Sequence, residues 1–380
     1  LGAILLEGTG GDGSGSFNHG IFLNAGAKVV STSTATVTLD GEGGKNGFIK
    51  NHGVFLTGTG TAVESLAGDI RIDGQGGTGT GDSNQATPVG SRSNHHGVSL
   101  EAGAQVTSTG TSAGSAAKIT IEGTGGHTTV TLGTALAVTG PPAMAAQGYA
   151  QNHGINMTDA TTKIASAYGD IALTGQGGTH SGGHASSLRG VYIAGATVES
   201  TGTGAGAANL SIVGTGTNGT GQDQGVFFSS SAKALSVDGN ITMQGDGNVG
   251  LLVGGTAATQ IKSTGDGNLH LIGTGPGTAN GIGHYGPAAI ESNTGDIMIE
   301  TDRLLNGGGA VPTIESKGNG RLFIQPRTAT TSIGIGNGAV GTTLNWTTAQ
   351  LDGIQDGFAS ITIGHASGSG AVDVRSYTFK

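Results

Sequence analysis

The 380-residue chain contains no cysteine, which excludes a disulfide framework, a thiolate zinc site and a cysteine nucleophile. Proline is scarce, with 7 residues, and glycine follows no every-third rule, so a collagen helix is excluded. Charged residues make up only 11% and the net charge is -9; 16 Lys+Arg offer no basic stripe, so no nucleic-acid partner is expected. Aromatic residues are few, at 4%. The longest apolar runs, such as Ala3 to Leu6 and Leu251 to Val253, fall far short of the roughly 20 residues that cross a bilayer. No membrane insertion is expected within this segment. Leu1 is preceded by no initiator Met and opens no charged-then-apolar leader, and the chain reads as a piece of a longer one.

What is abundant is glycine: 78 residues, roughly a fifth of the chain against a usual share of about 7%. That share excludes an ordinary helical or α/β core. Disorder fits badly as well, because the net charge is weak and Val, Ile and Leu alternate in order.

The alternation comes in a repeat that closes on glycine: Val37-Thr38-Leu39-Asp40-Gly41, Ile70-Arg71-Ile72-Asp73-Gly74, Ile119-Thr120-Ile121-Glu122-Gly123 and Ile171-Ala172-Leu173-Thr174-Gly175 are four copies. Period two means strand, with one face buried and one wet. Between these copies recur a second element that opens on glycine, such as Gly53-Val54-Phe55-Leu56, and a third that runs β-branched residue, any residue, serine, such as Val63 to Ser65. Closing glycines at 8, 41, 74, 123, 175, 214, 245 and 273 are separated by 33, 33, 49, 52, 39, 31 and 28 residues. Such variable steps exclude a propeller and suit a solenoid, whose turns lengthen while its strands stack. The expected fold is all-β: a right-handed parallel β-helix, three short strands per coil and about ten coils. Residues 1-345 form the repeat region, with insertions near 78-93, 127-151 and 179-187, and 346-380 supply the final coil or coils. Tight corners with positive φ account for the closing glycines and for pairs such as Gly43-Gly44 and Gly76-Gly77. Gly-x-Gly spacing therefore carries no nucleotide signal here.

Segments such as "GDIRIDGQGG" and "GDIALTGQGG", and above all Leu351 to Val374, "LDGIQDGFASITIGHASGSGAVDV", resemble the filamentous-haemagglutinin-like adhesins, very large Gly/Thr/Ser-rich surface proteins. The loose repeat covers nearly the whole chain; the C-terminal segment is the more particular part. The resemblance implies a secreted or surface-anchored solenoid of a Gram-negative-type bacterium, used for attachment or as a stalk. The family's N-terminal secretion region is not in this sequence.

Four histidines precede the opening glycine in successive coils: His19, His52, His96 and His153. Stacked at about 4.8 Å, they offer a metal column or a hydrogen-bonded ladder with unusual corner dihedrals. The ladder is favoured, since no cysteine or carboxylate adjoins the motif. Outward Glu7, Asp40, Asp73 and Glu122 form a second column with Arg71. Its spacing matches a retaining glycosidase pair, yet coil stacking produces that spacing automatically, so a solvated acidic stripe with weak surface calcium is the plainer reading. His180 and His184 read as loop residues. The steps of 49 and 52 carry about twenty extra residues each. These insertions should emerge on one side, and Pro141, Pro142, Met144 and Tyr149 give the second an apolar surface suited to binding. The expectation is a non-enzymatic extracellular adhesin or stalk segment with no catalytic residues and no cofactor. Its partner would be a polysaccharide or protein receptor, and exposed strand edges would permit end-to-end self-association. A carbohydrate-active β-helix and a self-assembling filament or sheath subunit are the alternatives.

Overall fold

Period-two alternation turns every second side chain of the recurring strands to one side, and the strands stack so that those sides share one interior. The computed structural model describes residues 2–47, 49–82, 94–131, 150–181, 187–217, 223–255, 257, 259–275, 280–306, 310–339 and 343–378. Three long sheets make the walls. The first face has eleven strands in chain order, from Ile4–Thr9 and Val37–Glu42 to Arg321–Gln325 and Ser360–Ile363. The second has nine, from Ile21–Leu23 to Leu304–Asn306, and the third nine, from Lys28–Ser31 to Thr313–Ser316. The chain visits the faces in turn and pairs each strand in parallel with its counterpart one coil away. The result is a parallel β-helix of about eleven coils, the last added by Ser360–Ile363 on Arg321–Gln325.

Register follows the sequence repeat: Leu39 pairs with Ile72, Ile72 with Ile121, and Ile121 with Leu173. These side chains are buried, as are Val54, Val98 and Ile155 of the second face and Val63, Val106 and Ile164 of the third. Each contributes about 1.5–3 kcal/mol on burial, and together they form one continuous core column.

The closing glycines correct an expectation. Gly41, Gly74, Gly123, Gly175 and Gly214 lie inside strands, and none has positive φ. A Cβ at each would overlap the carbonyl oxygen of Gly53, Gly97, Gly154, Gly190 or Gly225, respectively. Close approach of backbone to backbone at the corner, not left-handed geometry, excludes every other residue. Left-handed backbone is found instead between the second and third faces, at Gly26 (φ 83°) and Gly103 (φ 90°).

Serine closes the next corner. Ser31 Oγ donates to the Ala35 carbonyl at 2.7 Å, while Ser166 and Ser316 accept from the Gly169 and Gly320 N–H at 2.9 and 2.7 Å. Beyond it a ladder runs up the entry to the first face, with the Asn209, Asn240, Asn268 and Asp296 N–H groups donating to the side chains of Asp170, Asn209, Asn240 and Asn268 at 2.8–3.0 Å. The insertions do not leave as loops. Thr78–Asp82, His127–Thr131 and Thr179–Ser181 pair in parallel as a separate three-stranded sheet. His180 is thus a strand residue. At the C-terminal end, Leu344–Trp346, Ile333–Ile335 and Val372–Val374 form another three-stranded sheet, and Trp346 is buried against the core.

Candidate functional site

The corner between the first and second faces carries buried His52, His95, His96 and His153 together with buried Asn51, Asn152, Arg189 and Gln224. Its backbone is held in parallel register, the N–H of Gly20, Gly53, Gly97, Gly154 and Gly190 each donating to the carbonyl of His52, His96, His153, Arg189 and Gln224 at 3.0–3.1 Å. The residue before each opening glycine therefore stacks on its counterparts. His19, His52, His96 and His153 form one column, with ring centroids 5.0, 4.9 and 4.9 Å apart and interplanar angles of 10°, 2° and 12°.

The rings are also hydrogen-bonded. The N–H of His52, His96, His153 and Arg189 donates to Nδ1 of His19, His52, His96 and His153 at 3.2, 3.1, 3.1 and 3.3 Å. A second ladder runs beside it in the opposite sense. The Asn18, Asn51 and His95 N–H groups donate forward to Asn51 Oδ1, His95 Nδ1 and Asn152 Oδ1 at 3.1, 3.2 and 3.0 Å. Five imidazoles consequently use Nδ1 as an acceptor, which places their proton on Nε2. The rings lie parallel and do not converge on a common point, and among the described residues no group of three or more His, Asp or Glu is arranged to hold a metal ion. None of these Asn or His residues has positive φ, so the ladder, not corner strain, accounts for them.

Burial governs their protonation. It lowers His19 and His95 to about 4 and His96 to about 3, and it holds His52 and His153 well below 6.5. Lys50 adds to the effect on His19, and Arg189 adds to that on His153. The edge of His52 packs against the Phe55 ring, with centroids 5.0 Å apart at 61°.

Above His153 the column continues in other residue types. The Arg189 guanidinium lies 4.6 Å from the Tyr192 ring and 4.7 Å from the Phe227 ring, and its Nε donates to Gln224 Oε1 at 2.6 Å. Burial lowers Arg189 to about 10. Sequence reasoning missed Arg189 and Gln224; the signal was their position immediately before Gly190 and Gly225.

The insertion sheet sits on this corner. Asn51 Nδ2 donates to the Thr78 carbonyl at 3.3 Å, and Asn152 Nδ2 donates to Thr128 Oγ1 at 2.9 Å and to the Thr179 carbonyl at 3.0 Å. Gly79 is glycine because a Cβ there would overlap the Gly47 carbonyl oxygen and then the His95 ring. The three insertions thus start side by side. Pro141, Pro142, Met144 and Tyr149 lie outside the described residues.

The acidic column is in register on the first face, Glu7 on Asp40, Asp40 on Asp73 and Asp73 on Glu122. Arg71 bridges two of its members, Nε to Asp73 Oδ2 at 2.6 Å and Nη2 to Glu122 Oε2 at 2.8 Å. Burial raises the Asp73 carboxyl, and the hydrogen bond from Arg71 opposes it. A further cavity of about 50 Å³ closes the core beneath Trp346, lined by Val253, Leu271, Ile299 and Ile314. It has room for a few waters but is well below the roughly 150 Å³ that admits benzene. Comparison of the chain with protein-family models, with curated proteins and with solved structures gave no match.

Proposed function

We propose that this chain is a segment of an extracellular adhesin or surface stalk, a rigid, non-enzymatic solenoid that presents its insertions to a polysaccharide or protein receptor. The observation that carries the reading is the common origin of those insertions. Three strands from three successive coils, Thr78–Asp82, His127–Thr131 and Thr179–Ser181, pair side by side, so the described starts of the insertions share one side of a stiff scaffold, where recognition commonly resides. The repeat and the Leu351 to Val374 segment, with their resemblance to filamentous-haemagglutinin-like proteins, support a secreted or cell-surface location on a Gram-negative-type bacterium.

The test replaces 83–93 and 132–149 by Gly-Asn turns. Circular dichroism and melting should stay nearly unchanged while attachment to bacterial, host-cell and polysaccharide-coated surfaces falls; undiminished attachment would remove the insertions from recognition. The aligned Asp40, Asp73 and Glu122 carboxylates favour a second reading, a carbohydrate-active β-helix. Release of new reducing or unsaturated ends from a polysaccharide panel, abolished by Asp40→Asn or Asp73→Asn, would establish it and overturn the non-enzymatic one.

A further inference from the structure

The buried imidazoles lie where the insertion sheet meets the solenoid. His95 belongs to the Asn51–His95–Asn152 ladder, and Asn51 and Asn152 are the residues that also hold Thr78, Thr128 and Thr179 of the sheet. Next to them His52, His96 and His153 hold the corner backbone through Nδ1. Every one of these acceptor nitrogens faces an N–H. Addition of a proton to Nδ1 turns the acceptor into a donor facing a donor, and that hydrogen bond is lost.

We infer that the paired corner ladders are an acid-released latch, which holds the insertion sheet on the solenoid when the imidazoles are neutral and frees it when they take protons. The surrounding charges bias the latch in one direction. Lys50 acts on His19, His52 and His96, Arg189 on His153, and His127 of the insertion sheet on His95. All are cationic when protonated and oppose a second positive charge inside the fold. The nearby carboxylates are engaged elsewhere: Glu101 accepts from Ser99 and Asn156 at 2.8 and 3.1 Å, Asp223 accepts from the Leu188 N–H at 3.0 Å, and exposed Glu42 lies 3.7 Å from Lys45. Protonation is therefore accommodated by opening the corner rather than by pairing the imidazolium in place.

The device is local. Beyond Gln224 the equivalent positions before Gly250 and Gly281 are Val249 and Asn280, and the ladder that crosses those coils is made of Asn240, Asn268 and Asp296. Amide hydrogen exchange of the 380-residue chain, corrected for intrinsic rates, tests the latch at about pH 7.5 and about pH 4.5, because each buried ring shifts the opening equilibrium by up to about tenfold per pH unit below 6.5. Strands Thr78–Asp82, Val98–Glu101, His127–Thr131, Ile155–Thr158 and Thr179–Ser181 should lose protection by about tenfold or more in acid. Ile241–Asp246 should keep its protection; Leu269–Thr274 and Ile297–Thr301 do not report on the latch alone, because Leu271 and Ile299 share a cavity with the buried His284, which lies outside both ladders. In the H52N/H95N/H96N/H153N variant the asparagines accept the same N–H groups without titrating, and most of the difference should disappear. Uniform loss along the solenoid, no loss, or an undiminished loss in the variant would overturn the inference. Should the variant fail to fold, imidazole NMR of the native chain decides: rings that take protons between about pH 6 and about pH 7 while their corner amides stay protected would also overturn it.

Discussion

A glycine inside a strand ordinarily weakens it by removing packing and adding chain entropy. Here Gly74 and its stacked counterparts face inward at a corner where the Gly97 carbonyl leaves no room for Cβ. Gly74→Ala should lower stability by about 3 kcal/mol or more, whereas Gly11→Ala, where Cβ meets nothing within 4 Å, should be near neutral; denaturant unfolding of the pair checks the contrast. Histidine supplies the second residue-scale prediction. The buried rings titrate below their unfolded value of about 6.5, so below that pH the unfolded chain binds more protons and stability is lost as the pH is lowered. The contribution is complete above about pH 6.5 and is lost as pH drops through about 4 for His95 and about 3 for His96. Each buried ring adds up to about 1.4 kcal/mol per pH unit in that window. Melting temperature measured from pH 7.5 to 4.5 should therefore decline steeply, and a flat profile would contradict neutral burial.

At the level of elements, hydrogen bonds between coils decide which corners are rigid. Asn152 alone accepts from His95 and donates to Thr128 and Thr179. Asn152→Ala leaves buried polar groups unpaired, at about 1–3 kcal/mol each, and should raise exchange in Thr78–Asp82, His127–Thr131 and Thr179–Ser181 while sparing the C-terminal coils. Ion pairs along the third face behave differently. Lys28 with Glu64 at 3.2 Å and Lys262 with Glu291 at 2.7 Å join neighbouring coils, but Lys28 is about half exposed. Lys28→Ala should cost under about 1 kcal/mol and less in high salt.

For the whole molecule, a solenoid stacks neighbour on neighbour, and its ends carry what no coil covers. Leu5, Phe17, Phe22 and Val30 are exposed around the first coil, and Ile361, Val372 and Val374 around the last described strands. Ile4–Thr9 and Ser360–Ile363 each have one strand edge unpaired within the first-face sheet. The isolated 380-residue chain should associate with rising concentration in analytical ultracentrifugation. Lysine at Leu5 and Val372 should suppress that association, and a strictly monomeric native chain at high concentration would contradict it.

The wall strands, the inward side chains and the stacking of His19, His52, His96 and His153 were legible in the sequence. Alternation with period two and a fixed offset to the next glycine are local quantities, and a parallel stack copies them from coil to coil. The reason for the closing glycines was not legible, because the obstructing carbonyl comes from the following strand and only folding brings it there. Nor was the insertion sheet: Thr78–Asp82 and His127–Thr131 have too little hydrophobic alternation to declare themselves and become strands by pairing with each other and resting on Asn51 and Asn152. Arg189 and Gln224 join the histidine column through backbone register, although nothing in their residue type announces it. Composition and period could thus specify a parallel coil. Which polar groups meet across it depended on contacts between residues such as Asn152 and Thr128, 24 positions apart, or His153 and His96, 57 apart, and only the assembled stack sets those separations to a hydrogen-bond length.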